Sequence, residues 1–227
     1  MKVLFHLGHP AHFHLFKNVI ARLKDQGHTP AILIKKKDIL EDLVKQSGFD
    51  YINILPEGRK NSKIGLIIGM LKRDIRLFRF CLNYKPNVLI GTSIEIGHVG
   101  SILGIPSINV NEDDADVIPF YARLSYPFNT VIVSPDVCDN GKWNHKTINY
   151  SGYHELAYLH PDHFTPSQEI ASKYVDTSTK VFLIRFSSLN AHHDSGIQGI
   201  NNDVALKIIA LLKPHGKVYI TSERPLL

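Results

Sequence analysis

The chain has 227 residues, 26 Lys and Arg against 21 Asp and Glu, and an apolar fraction of 44%, which excludes a disordered tail or a collagen-like polymer and allows one large domain or two small ones. Its two cysteines, Cys81 and Cys138, exclude a disulfide scaffold and fit a cytoplasmic protein. No apolar run is long enough for a bilayer, and residues 1–12 lack the apolar core and cleavage site of a signal peptide. A formal charge of +5 suits an anionic substrate or a membrane surface and is too diffuse to argue for nucleic acid.

Lys2-Val3-Leu4-Phe5-His6-Leu7 reads as a buried parallel strand, ended by the turn Gly8-His9-Pro10. Phe13, Phe16, Ile20 and Leu23 follow at helical spacing, and Gly27 stops that helix. Ala31-Ile32-Leu33-Ile34 and Tyr51-Ile52-Asn53-Ile54 read as strands around a short helix that carries Leu40, Leu43 and Val44. Residues 63–84 form a long amphipathic helix, with Ile64, Ile67, Leu71, Ile75, Phe78 and Leu82 expected on its packed face. Val88-Leu89-Ile90, Ser107-Ile108-Asn109-Val110 and Thr130-Val131-Ile132-Val133 are further strands. This alternation specifies a parallel sheet with helices on both faces.

Residues 134–165 are rich in Pro and Gly and read as a linker region with short helices. Val181-Phe182-Leu183-Ile184, a helix over 203–212 and Lys217-Val218-Tyr219-Ile220 form one more strand–helix–strand unit. The expected organisation is a Rossmann-like domain over 1–150, a linker region over 151–180 and the start of a second Rossmann-like domain over 181–227. A lone unit seldom stands as a domain, so the chain is expected to be part of a longer protein.

Ligands of open parallel sheets bind where strands end and helices begin, which singles out four loops. In Gly8-His9-Pro10-Ala11-His12, a histidine can act as a base near neutral pH or simply cap the helix, and no Cys or carboxylate lies nearby to complete a metal site. Gly91-Thr92-Ser93-Ile94-Glu95 lets a substrate approach the backbone at Thr92 and Ser93. Thr92-x-x-Glu95 also has the form of a capping box, and that structural role ranks first for Glu95. Glu112, Asp113, Asp114 and Asp116 repel one another, which raises the pKa of at least one and suits proton transfer; a helix start also favours such residues without any chemistry. Adjacent His192, His193 and Asp194 form the densest proton-transfer group. Lys72, Arg73, Arg76 and Arg79 cluster on the long helix, as a solvated face or as a contact for anionic lipid headgroups.

Together these loops resemble a known group. Gly8-His9-Pro10-Ala11-His12 resembles the acceptor-side loop of GT-B glycosyltransferases. Residues 86–93 (PNVLIGTS) and 104–112 (GIPSINVNE) resemble two strands of that group. Residues 150–159 (YSGYHELAYL) and Ala191-His192-His193-Asp194 resemble the GT-B-like family called domain of unknown function 354, which is similar to UDP-N-acetylglucosamine 2-epimerases and to the transferase that forms lipid II.

The resemblance implies a GT-B-like α/β fold, with the acceptor held by the first domain and a nucleotide-sugar by the second. It implies glycosyl transfer from a UDP-sugar in surface polysaccharide or glycoconjugate synthesis, with no further cofactor and no metal. The alternatives are a 2-epimerase-like enzyme and a sugar-nucleotide-binding protein without catalysis. Glu112 and His192 or His193 are the implied catalytic residues. His9, His12, Thr92, Ser93, Glu95, Asp113 and Asp194 are the candidate substrate contacts. The loops at His9, His12, Thr92, Ser93 and Glu112 are expected at one edge of the sheet. The expected partners are the nucleotide-sugar, a glycan or lipid-linked acceptor and the inner membrane surface, and not nucleic acid.

Overall fold

The computed structural model describes residues 1–58, 63–186 and 199–223, with only the backbone at Lys63 and Ile64. His192, His193 and Asp194 lie outside the described residues. The chain divides into two units, Met1–Phe164 and Thr165–Leu227.

In the first unit, β1 (Lys2–Leu7), β2 (Thr29–Lys35), β3 (Ile52–Leu55), β4 (Val88–Gly91), β5 (Ser107–Val110), β6 (Val131–Pro135) and β7 (Thr147–Tyr150) form one parallel sheet in the order β3-β2-β1-β4-β5-β6-β7. The connecting helices are α1 (Pro10–Asp25), α2 (Leu40–Gln46), α3 (Lys63–Tyr84), α4 (Ile94–Leu103) and α5 (Pro119–Ser125), with the short α6 (Leu156–Leu159) after β7.

Alternation along β1 builds two cores. Val3, Phe5 and Leu7 point to one face, where Phe13, Phe16 and Ile20 of α1 and Leu40 and Val44 of α2 cover them. Leu4 points to the other, against Leu77 and Cys81 of α3 and Ile96 and Val99 of α4. Between β1 and β4 the backbones approach closely at Gly91, where a Cβ would fall 2.5 Å from the His6 carbonyl oxygen.

The packed face of α3 differs from the one its apolar spacing predicts. Of the expected face, Phe78 packs against the core, whereas Ile67, Leu71, Ile75 and Leu82 are about half exposed, while Arg73, Leu77 and Cys81 are buried. Arg73 is drawn inward by a carboxylate on α4, and that pair turns the apolar stripe outward. Strand β7 lies within the stretch read from sequence as linker. It adds to the sheet edge through backbone pairing with β6, although half its side chains are exposed.

The second unit pairs β8 (Val181–Phe186) with β9 (Lys217–Ser222) in parallel. Its helices are α7 (Gln168–Ser172) and α8 (Asn202–Leu212), the latter capped by Asn201. Ile184 and Phe186 pack with Ala205 in a small core.

Candidate functional site

Because the strands of the first sheet are parallel, the loops after β1, β4 and β5 leave at one edge. His9 closes the start of α1, where its Nδ1 accepts the Ala11 N–H at 3.2 Å. His12, one turn into α1, folds back so that its Nδ1 accepts the Gly8 N–H at 3.1 Å, with Thr92 Oγ1 2.6 Å from the same nitrogen. The backbone donor makes Nδ1 an acceptor and leaves the proton of the neutral ring on Nε2. Burial, aided by His9 and Lys35, lowers His12 to about 3, so the imidazole is neutral at physiological pH. Lys35, the last residue of β2, lies over Gly8, where a Cβ would come within 3.3 Å of Nζ.

Beneath this corner lies a buried ionic group. His6 Nδ1 is 2.6 Å from Ser93 Oγ and 3.9 Å from Glu95 Oε2. Glu95 Oε1 accepts from Arg73 Nε at 2.5 Å. Burial lowers His6 to about 4 despite the pull of Glu95. Burial alone would raise the Glu95 carboxyl, but His6 and Arg73 outweigh it and hold the group below its ordinary range. The capping box expected of Thr92 and Glu95 is absent. Ser93 is the N-cap of α4, and the Glu95 side chain reaches inward to Arg73 because an unpaired guanidinium there would be costly.

A second group follows β5 and β7. Glu112 Oε2 is 3.3 Å from His154 Nδ1, and the ring of His154 lies nearly parallel to that of Tyr150, 6.3 Å away at 11°. The hydrogen bond to His154 holds the Glu112 carboxyl below its ordinary range, opposite to the upward shift expected from carboxylate crowding. Asp114 turns its Oδ1 instead to the Asp139 N–H, at 2.7 Å. Burial pushes Tyr150 up to about 12, so its hydroxyl stays protonated. His154 also contributes, weakly, to the low pKa of His12. A carboxylate on one imidazole nitrogen orients the ring for proton transfer at the other. Among the described residues, no three His, Cys, Asp or Glu side chains converge as metal ligands.

The model of a family described as protein of unknown function (DUF354) matches residues 1–221. The chain belongs to the DUF354 family. No curated protein matches it. Among solved structures, it is similar to the UDP-GlcNAc 2-epimerase from Neisseria meningitidis bound to UDP-GlcNAc, at 15% identity and TM-score 0.66 over 100% of this chain and 73% of that one. It is also similar to the UDP-GlcNAc 2-epimerase from Methanocaldococcus jannaschii, at 13% identity and TM-score 0.68 over 97% of this chain and 65% of that one. MurG from Acinetobacter baumannii matches at 13% identity and TM-score 0.55 over 85% of this chain and 54% of that one. The chain thus spans roughly half to three quarters of these structures. These likenesses show the fold, the GT-B-like α/β architecture of epimerases and glycosyltransferases.

The structure of this DUF354 chain brings His9, His12, Thr92, Ser93 and Glu95 to one corner, with Glu112 on the loop after the neighbouring strand β5. Asp113 sits on the loop after β5, where its carbonyl accepts from the Asn111 side chain at 3.2 Å. The basic cluster on α3 does not form a single surface. Arg73 is 7% exposed and bound to Glu95, while Arg76 and Lys72 both reach Glu57. Sequence reasoning missed His6, Lys35, Tyr150 and His154. Residues 150–159 were legible as a motif, but nothing in their spacing pairs His154 with Glu112.

Proposed function

We propose that this DUF354 chain is part of a GT-B-type glycosyltransferase that uses a nucleotide-sugar, a UDP-sugar, in surface polysaccharide or glycoconjugate synthesis. The observation that carries this reading is the Glu112–His154 pair on the loops after β5 and β7, at the same edge of the sheet as neutral His12. In the proposed reaction His154 takes the acceptor's hydroxyl proton. The acceptor oxygen bonds the anomeric carbon as its bond to the diphosphate oxygen breaks, and the electron pair leaves with UDP. The first unit is then the acceptor side, with His9, Thr92, Ser93 and Asp113 as contacts. The second unit opens the nucleotide-sugar side, where His192, His193 and Asp194 would hold the diphosphate or move a proton. No cofactor beyond the sugar nucleotide is invoked.

No described helix is long and apolar enough to cross a membrane. A cytoplasmic protein at the inner membrane surface fits exposed Ile67, Leu71 and Ile75 beside Lys72 and Arg79 on α3. A lipid-linked acceptor would be met there.

The epimerase reading is favoured by the structural likeness to UDP-GlcNAc 2-epimerases. Calorimetric titration of the whole protein with UDP, paired with turnover of UDP-GlcNAc, separates the readings. UDP released only when acceptor is present supports transfer. The C2 epimer formed without acceptor supports epimerisation, and UDP binding without turnover supports a binding protein.

A further inference from the structure

Midway along α4, His98 links three helices of the first unit. Its Nδ1 lies 3.2 Å from the Asp74 carboxylate on α3, and its Nε2 lies 2.9 Å from the Leu124 carbonyl in the last turn of α5. Phe128, in the single turn Tyr126–Phe128 that follows α5, meets the imidazole almost at right angles, with ring centres 4.9 Å apart. Both nitrogens therefore face groups that only accept. A neutral imidazole carries one N–H and can satisfy one of them, whereas the imidazolium carries two and satisfies both.

The surroundings of the ring favour the charged form. The hydrogen bond to Asp74 raises the imidazole above its ordinary 6.5; partial burial opposes it, and the Asp74 charge, the Leu124 carbonyl and Glu95 on α4 add to it. Once the proton is lost, the remaining N–H stays with Asp74, because a bond to a charged acceptor is the stronger one, and the Nε2 lone pair is left facing the Leu124 carbonyl. The loosened helix is the one that holds the end of β5. The Asn109 amide donates to the Tyr121 hydroxyl at 2.8 Å and to Ser125 Oγ at 3.1 Å, and the Asn111 amide donates to the Tyr126 hydroxyl at 2.9 Å. Asn111 directly precedes Glu112.

We propose that His98 is a proton-controlled clasp: as an imidazolium it ties the last turn of α5 to α3, and losing its proton frees α5 together with the tyrosines that hold Asn109 and Asn111 ahead of Glu112. The clasp is fully closed below pH 6.5 and opens as pH rises through the higher value of the folded chain. It operates whichever reaction the site performs.

Trp143, the only tryptophan in the sequence, lies edge-on to Tyr126 with ring centres 5.4 Å apart, and its fluorescence reports on that packing. Followed on the whole protein from about pH 6 to about pH 9, the fluorescence should change in one step with a midpoint above 6.5, and proton NMR of the His98 ring should give the same midpoint. Asp74→Asn should lower both midpoints, since no carboxylate then favours the charged ring. His98→Gln should abolish the step, whereas His145→Gln, which removes the histidine nearest in sequence to the reporter, should keep it. Hydrogen exchange of the α5 amides should rise by at least about tenfold across the step, beyond its intrinsic pH dependence. A His98 midpoint at or below 6.5, a steady fluorescence or unchanged α5 exchange while His98 titrates, or an Asp74→Asn variant with the wild-type midpoint would overturn the proposal. Should His98→Gln fail to fold, the wild type and Asp74→Asn still decide it.

Discussion

At the scale of single residues, the first unit turns on a buried charge. Arg73 is tied to Glu95 under the loop that carries Thr92 and Ser93, and His6 completes the group. Removing one member strands the other in a medium that solvates it poorly. Glu95→Ala should therefore lower the unfolding free energy by about 3–5 kcal/mol. The double variant Arg73→Met, Glu95→Leu should recover most of that loss, since an apolar pair of similar volume leaves no charge behind. Urea unfolding of the three proteins decides it; a loss under about 1 kcal/mol for Glu95→Ala would mean that water already reaches Arg73. Gly91→Ala tests the close approach of β1 and β4. Its Cβ would meet the His6 carbonyl, a backbone atom that cannot swing aside, and the change should destabilise by roughly 1–3 kcal/mol in the same assay.

At the scale of elements, α3 shows how a local pattern can be overruled. Its apolar residues recur at helical spacing, yet the buried stripe holds Arg73, Leu77 and Cys81, set by the partner that Arg73 finds on α4. The two stripes make opposite predictions under mutation. Leu77→Ala should lower stability by about 2–5 kcal/mol by opening a cavity in the core beneath the sheet. Leu71→Ser and Ile75→Ser should each stay within about 0.5 kcal/mol. Equal losses at Leu71 and Leu77, read from thermal or urea midpoints, would show that the apolar stripe is packed after all.

For the whole molecule, the buried histidines set a pH dependence. His6 and His12 titrate at about 4 and about 3 in the folded chain, against an ordinary 6.5. The unfolded chain therefore takes up protons below pH 6.5 that the fold refuses, and stability is lost as pH falls through that window. Each contributes roughly 1.4 kcal/mol per pH unit, so the loss between pH 7 and pH 5 should be on the order of 2–4 kcal/mol. Asp74 raises His98, but that contribution is complete below pH 6.5 and adds no slope there. The lowered carboxyls of Glu95 and Glu112 act only below about pH 4.5. Urea midpoints at pH 7 and pH 5 give the slope, and a flat profile would mean that both imidazoles are solvated.

The amino-acid sequence by itself determined the order of strands β1 to β6 and of helices α1 to α4. It placed β1 and β5 at their observed bounds, because a short apolar run between turn residues has few other ways to bury itself. The common edge of the parallel strands followed from that order, and with it the loops at His9, His12, Thr92 and Glu112. Only the tertiary structure decided what those residues touch. Strand β7 has no apolar run to announce it and exists through its pairing with β6. The inward turn of Glu95 depends on Arg73 from another helix, and the choice of His154 for Glu112 on a segment beyond two more strands. Local spacing encodes what one element can do alone, whereas a partner distant in sequence is chosen by register and packing.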